Sequence, residues 1–444
     1  MLFERIESSG LAHYSYIVGD GNEAVVIDPR RDAEDYIEAA RQAGMQIKYI
    51  LETHRNEDYL IGSLEIARQT GAKIFHSFNE SYDFAYGKDI QDGDKINFGN
   101  LTIEALHTPG HTMGHMSYLL YDDEDNPWMI FTGDALFAGD VGRTDFYEGQ
   151  NRKMTGKLYD SLHNKILPLG DGVIICAAHG AGSVCGSNIT ERIWTSIGLE
   201  RQYNPALQIE DREKFIDEFS NPHDKPPYFK TMEKFNKIGP EDKSLPVPAA
   251  LSSQDFIEAA EHGQIVDIRS ESCFGTAFVP GSIFIKEEVL SNFAGWFLSY
   301  DKPILLISDS DNIKPVVKQL FRLGYDNIAG FLKGGITAWT KAGYKTSSIA
   351  TIDAAEIKEM EQRGQNPFIL DIRDKDEALQ TPIPSSLRIK LTDLPAKFDE
   401  VPGDKQLHIV CGSGVRSMVA ASLLKRAGFD NLSVPLGGIS GWKS

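Results

Sequence analysis

"THRNEDYLIGS", residues 53–63, follows the strand-like run "IKYILE" (47–52) and so places His54 at a strand end. A His-x-His-x-Asp-His pattern at that place would supply ligands for two zinc ions. Here the pattern reads His54, Asn56, Asp58 and Tyr59. Amide nitrogen is a poor ligand, and a phenol is a poor one unless ionised. The stretch therefore predicts a second metal position that has lost its imidazoles, while His54 is kept. Three further polar residues fall at the ends of strand-like segments: His111 in "HTPGHT" (107–112), Asp134 in "TGDALF" (132–137) and His179 in "AAHG" (177–180). Loops at strand ends are where a rigid scaffold commonly presents a site. Two imidazoles and one carboxylate on one face of a metal form the facial triad of non-haem Fe(II) oxygenases, which leaves three positions for substrate and oxygen. His54, His111 and Asp134 are the candidates for that set.

Around these residues, "HYSYIVG", "EAVVIDP", "HMSYLLY" and "WMIFTGDALF" alternate or run apolar in strand-sized lengths, with helix-like stretches such as "DAEDYIEAARQAG" between them. A sandwich of sheets covered by helices is expected. At 444 residues the chain exceeds one ordinary core, so two to four domains are expected. No apolar run approaches the roughly 18 residues of a membrane helix, and the N-terminus "MLFERIESSGLAHYSY" lacks the basic start of a secretory signal. Four cysteines without framework spacing argue for a reducing compartment, and a cytoplasmic location is expected. A formal net charge of −19 would repel phosphate backbones, which counts against nucleic-acid partners.

The C-terminal half repeats itself. "IVDIRSESCFGTAFVPGSIFI" (265–285) matches "ILDIRDKDEALQTPIPSSLRI" (369–389), and "LGYDNIAGFLKGGITAW" (323–339) matches "AGFDNLSVPLGGISGW" (427–442). Each repeat alternates short apolar strands with helix-like segments, as small parallel α/β domains do. The Pro-, Lys- and Asp-rich stretch 221–248 is expected to be a linker. In the last repeat "VCGSGVRS" (410–417) runs from a strand through Cys411, Gly412 and Gly414 into a helix pattern. A thiol in such a loop faces converging N–H groups and a helix N-terminus, which lower its pKa and stabilise anions, and Arg416 adds positive charge. The corresponding stretch of the middle repeat, "LISDSDNIKPVV" (306–317), has neither cysteine nor glycines. Sulfur chemistry by that route is excluded there, and a structural or docking role is expected. Cys273 lies just after "DIRSES" (267–272), away from that stretch, and Cys176 in "VIICAA" fits a strand core.

The set "THxNxD", "HTPGHT", "TGDALF" and "AAHG" resembles the metallo-β-lactamase fold, and "GRTDFYEG" (142–149) resembles its persulfide dioxygenase branch. The two repeats resemble rhodaneses. The resemblance implies an α/β chain: an αββα sandwich over 1–242, a rhodanese-like domain without the active cysteine over 243–347, and a rhodanese domain with Cys411 over 348–444. It implies one Fe(II) per N-terminal domain, held by His54, His111 and Asp134. Each of the three alone has an ordinary explanation as a strand-end or turn residue, but their joint order and context favour a metal. Asp58 and His179 would orient ligands or bound water. Arg143 would grip an anionic persulfide or position its loop, unless it simply pairs with Asp145. Cys185 either packs or handles persulfide near the metal. Cys411 would carry sulfur.

The implied reactions oxidise low-molecular-weight thiol persulfides of the glutathione, coenzyme A, cysteine or bacillithiol type with dioxygen to sulfite. Sulfite and a second persulfide would then give thiosulfate, in sulfide detoxification. A homo-oligomer is expected, with neither nucleic acid nor membrane as partner. Two alternatives are a metal-dependent thioester hydrolase of the glyoxalase II kind, and a non-catalytic sulfur-carrier scaffold using only Cys411.

Overall fold

The apolar runs become strands because each buries a face, or both faces, between layers. The computed structural model describes residues 1–443 except 81–83, 184, 187 and 242. Asp242, the last residue of the expected first domain, thus lies outside the described residues. The chain forms two compact units, Met1–Leu245 with Lys318–Gly324, and Pro246–Val317 with Tyr325–Ser444.

In the first unit, β1 (Leu2–Ser8), β2 (His13–Asp20), β3 (Glu23–Ile27), β4 (Gln46–Leu51), β5 (Lys73–Ser77) and β6 (Lys88–Ile90) form one sheet in sequence order. The second sheet runs β12 (Thr195–Ser196), β11 (Ile174–Ala177), β10 (Pro127–Gly133), β9 (Met116–Tyr121), β8 (Leu101–His107) and β7 (Lys95–Phe98). Val18, Val25, Ile27 and Leu51 of the first sheet share a buried cluster with Ile103, Tyr118, Leu120 and Phe131 of the second, so the main core lies between the sheets. On the outer face of the first sheet, Ile17, Val26 and Ile50 pack with Tyr36 and Ala39 of helix Glu34–Gln42 and with Ile66 of helix Ser63–Thr70. Leu119, Ile130 and Ile175 pack with Leu158 of helix Asn151–Ser161 on the outer face of the second. The layers are therefore helix, sheet, sheet, helix, as expected.

The expected linker is partly wrong. Residues Phe229–Ile238 form a helix whose Phe229, Met232 and Asn236 are buried. Its apolar spacing is hidden by neighbouring Pro and Lys. Asn236 Nδ2 donates to the carbonyls of Asn56 and Tyr59, each at 2.8 Å, and its Oδ1 accepts from Ile61 N at 3.0 Å. One side chain thus braces the whole loop that carries His54.

The second unit contains two parallel five-stranded sheets of one topology. The first has the order β13 (Ala249–Leu251), β17 (Ile328–Leu332), β16 (Ile304–Ile307), β14 (Gln264–Asp267), β15 (Ile283–Phe284). The second has the order β18 (Ala350–Asp353), β22 (Leu432–Leu436), β21 (Leu407–Val410), β19 (Phe368–Asp371), β20 (Leu387–Arg388). The repeated "DIR" makes the same buried ion pair twice: Arg269 with Asp267, and Arg373 with Asp371, both at 2.7 Å. Helix Val415–Arg426 is buried from Ser417 through Leu424, on every face. Its Ser422 Oγ accepts the N–H of Phe284, at the edge of the neighbouring sheet, at 3.0 Å. Among the described residues no helix is long and apolar enough to cross a membrane.

Candidate metal centre and sulfur-transfer loop

Four strand ends bring the polar residues of the first unit together. His54 follows β4, His111 lies between β8 and β9, Asp134 follows β10, and His179 follows β11. The parallel pairing of β10 with β11 sets the last two side by side. His111 Nε2 lies 3.5 Å and His54 Nε2 4.0 Å from Asp134 Oδ2. Ligands about 2.1 Å from a common ion at right angles stand roughly 3 Å apart, so these atoms need to close in only slightly. All three residues are buried.

The protonation of the imidazoles is set by their other nitrogens. His111 Nδ1 lies 2.9 Å from the carbonyl oxygen of Arg143, which can only accept, so Nδ1 carries the proton and Nε2 presents a lone pair. For His54 the partner is Thr53 Oγ1 at 2.8 Å, whose own proton goes to Asp28 Oδ2 at 2.7 Å. With Asp28 ionised, His54 Nδ1 must donate, and its Nε2 likewise turns a lone pair inward. His115 is different: its Nε2 accepts the backbone N–H of Asp134 at 3.0 Å, which occupies the lone pair and holds the Asp134 turn in place.

His111 Nε2 and both oxygens of Asp134 are buried without a hydrogen-bond partner. Such atoms are costly unless something satisfies them. Burial lowers the pKa of His54, His111 and His179 and raises that of Asp134, so every group tends to its neutral form. A dication would reverse this for the carboxylate. The donor set therefore fits a metal ion.

Glu57, which the sequence did not single out, belongs to the same cluster: its Oε2 lies 3.8 Å from His111 Nε2. Burial pushes its carboxyl up to about 8, despite Arg55 beside it at 3.3 Å. The only sequence signal was an acid wedged between Asn56 and Asp58. Asp58 Oδ2 sits 3.5 Å from His179 Nε2, on the other side of Asp134, and burial raises its carboxyl to about 7. Cys185 is buried in that same group. Asn56 Nδ2 turns to the carbonyl of His54 at 3.4 Å. The Tyr59 hydroxyl reaches the Asp28 carbonyl at 3.3 Å, while its ring packs on His13 with centroids 4.0 Å apart.

Of the two roles expected for Arg143, a grip on an anionic substrate or an ion pair with Asp145, the ion pair is the arrangement seen. Its guanidinium forms a buried bidentate pair with Asp145, at 2.7 and 2.9 Å, and also donates to the carbonyl of His223 at 3.0 Å. Its contribution to the centre is the backbone: the carbonyl orients His111, and its N–H donates to the Cys185 carbonyl at 3.3 Å.

In the second unit Cys411 follows β21 and is buried. The N–H of Gly414, at the start of helix Val415–Arg426, donates to its sulfur at 3.1 Å. A Cβ on Gly438 would stand 2.3 Å from the Cys411 carbonyl oxygen and 2.6 Å from that of Gly412, so a chain crossing seals the loop. In the middle domain Gly335 crosses the Ser308 carbonyl in the same way, at 2.7 Å, which identifies Ser308 as the counterpart of Cys411. Arg416 is engaged by Glu377 at 2.7 Å.

Comparison with known proteins agrees with this architecture. Residues 9–179 match the metallo-beta-lactamase superfamily, and residues 252–342 and 353–444 each match the rhodanese-like domain. The chain is 31% identical to the hydroxyacylglutathione hydrolase GloC of Haemophilus influenzae over 214 residues, which are 44% of this chain and 91% of that protein. It is also 31% identical to the mitochondrial persulfide dioxygenase ETHE1 of Bos taurus over 257 residues, 54% of this chain and 83% of that one. A metallo-beta-lactamase crystal structure from Staphylococcus aureus superposes with a TM-score of 0.67 at 29% identity, covering 75% of this chain and 98% of that one. A helix-flanked double sheet with buried lone pairs at its strand ends, followed by two copies of one parallel domain, places the chain in the metallo-beta-lactamase superfamily, fused to two rhodanese-like domains.

Proposed function

We propose that the chain is an Fe(II)-dependent persulfide dioxygenase joined to a sulfurtransferase. The observation that carries the reading is the convergence of two imidazole lone pairs and one carboxylate on a buried point, with His111 Nε2 3.5 Å from Asp134 Oδ2. His54, His111 and Asp134 would hold the ion, and iron there would supply the activation of dioxygen for oxidation of the outer sulfur. The overall change is R–S–SH + O₂ + H₂O → R–SH + SO₃²⁻ + 2H⁺. The protein's own part is to keep both Nε2 atoms unprotonated, through Asp28–Thr53 and the Arg143 carbonyl, and to exclude bulk water by burial. Asn56 and Tyr59 support one metal over a two-zinc hydrolase centre. The likeness to a persulfide dioxygenase agrees with this.

At the second site the Cys411 thiolate attacks the outer sulfur of a persulfide, forming Cys–S–S⁻ and releasing the carrier thiol. Sulfite then takes that sulfur as thiosulfate and regenerates the thiolate. The Gly414 N–H and the helix N-terminus behind it favour the anionic sulfur in both states. Glutathione, coenzyme A, cysteine and bacillithiol persulfides are the carrier class, and sulfide detoxification is the setting.

A thioester hydrolase is the second reading, favoured by the acid and imidazole pair Asp58–His179 and by the equal identity to a hydroxyacylglutathione hydrolase. Protein prepared without oxygen separates the two. Iron at the centre with persulfide-dependent oxygen uptake, abolished in His111→Ala, is expected. Tightly held zinc with thioester hydrolysis and no oxygen uptake would establish the hydrolase instead.

A further inference from the structure

Residues Lys318–Gly324 of the middle repeat belong to the first unit, and one of them reaches the support of His54 from two sides. The guanidinium of Arg322 donates to both oxygens of Asp32, Nε to Oδ1 at 2.8 Å and Nη2 to Oδ2 at 2.7 Å, and both side chains are buried. The backbone carbonyl of the same residue accepts the N–H of Leu60 at 2.8 Å, in the loop that begins with Thr53 and His54. Arg322 thus holds the turn 28–32 with its side chain and the His54 loop with its main chain.

These two segments are also joined to one another. At the start of the turn, Asp28 accepts the Thr53 N–H at 2.8 Å and the Thr53 hydroxyl at 2.7 Å, the second being the bond that fixes the lone pair of His54. Further along, Arg30 forms a β-bridge with Ile61, and Gly62 N donates to the Pro29 carbonyl at 2.7 Å. Asp28 adopts φ +48, a left-handed conformation that a residue with a side chain keeps only when its surroundings enforce it. A buried, bidentate guanidinium–carboxylate pair at the other end of the turn is a constraint of that kind.

We propose that Arg322 is a positioning residue for the metal centre: through Asp32 and the turn it keeps Asp28 against Thr53, and so keeps the Nε2 lone pair of His54 turned inward. It touches neither the ion nor the substrate. One residue of a repeat that has no thiol at Ser308 thereby serves the metal centre. The last repeat supplies an internal control. "LGYDN" (323–327) matches "AGFDN" (427–431), so Arg322 corresponds to Arg426. Arg426 is exposed, whereas Arg322 is buried against Asp32. The inference rests on His54 being a metal ligand and on nothing about the reaction.

The test is competition for Co²⁺ between metal-free full-length protein and a chromophoric chelator, with circular dichroism to check the fold. Arg322→Met should weaken binding at least about tenfold. Arg322→Lys, which retains a donor for Asp32, should recover most of that loss, and Arg426→Met should have no effect. A double-mutant cycle with Thr53→Val separates positioning from general loosening of the fold. If Arg322 acts through Asp28 and Thr53, the combined loss is smaller than the sum of the two. Should Arg322→Met fail to fold, Asp32→Asn carries the same comparisons. Unchanged affinity in Arg322→Met, an equal loss in Arg426→Met, or additive losses in the cycle would overturn the proposal and leave the oxygenase reading standing. Parent protein that binds no Co²⁺ would overturn both.

Discussion

His54 offers a lone pair only because of what stands behind it. Thr53 Oγ1 accepts the hydrogen bond of Nδ1–H and donates its own to Asp28. Thr53→Val removes that relay without removing a ligand, and metal affinity should fall about 10- to 100-fold with the fold intact. Thr53→Ser should restore it. Competition with a chromophoric chelator, beside a circular dichroism spectrum, measures both. Asp28 itself is buried, and burial lifts its carboxyl from 3.8 to about 7. Between those values the folded state holds a proton that the unfolded state has released, so metal-free protein should lose stability as pH rises from about 4 to about 7. The full span corresponds to roughly 4 kcal/mol. Asp28→Asn should flatten that part of the profile, read as the melting temperature of chelator-treated protein at several pH values. An unchanged slope would assign it to other groups.

The strand–loop–helix unit around Cys411 depends on one backbone crossing. Gly438, at φ +54, leaves no room for a side chain over the carbonyls of Cys411 and Gly412. Gly438→Ala should therefore displace the loop and remove most persulfide-to-sulfite sulfur transfer. Gly335→Ala, its counterpart over Ser308, should lower the melting temperature and leave the transfer rate unchanged. Elements of this kind were readable in the sequence, because two copies of "DIR" and of the glycine pair recur in the same order at nearly the same spacing. The strands bearing His54, His111 and Asp134 were readable too, since apolar periodicity ends where each polar residue begins. Glu57, His115 and the helix Phe229–Ile238 were not. Their roles come from long-range contacts: His115 meets the Asp134 amide, and Asn236 meets a loop some 180 residues earlier. The pairing of Arg143 with Asp145 was legible in the sequence, but not the His223 carbonyl that the guanidinium also holds.

For the chain as a whole, oxidation and sulfur transfer are assigned to separate units, so they should be separable by mutation. Cys411→Ser should leave oxygen uptake largely unchanged while the product shifts from thiosulfate to sulfite, after correction for the spontaneous reaction of sulfite with persulfide. Undiminished thiosulfate would move the transfer to another cysteine. The middle domain has no thiol at Ser308, yet its edge strand ends on Ser422, a residue of helix Val415–Arg426. An open sheet edge invites pairing with other chains, and that helix is buried from Ser417 through Leu424. Each domain is thus the other's insulation. Residues 348–444 produced alone should be poorly soluble, as sedimentation of the fragment against the two-domain piece 246–444 would show. In evolutionary terms Phe284 and Ser422 are bound to each other's fate: a change at either position has to be accommodated by the other repeat.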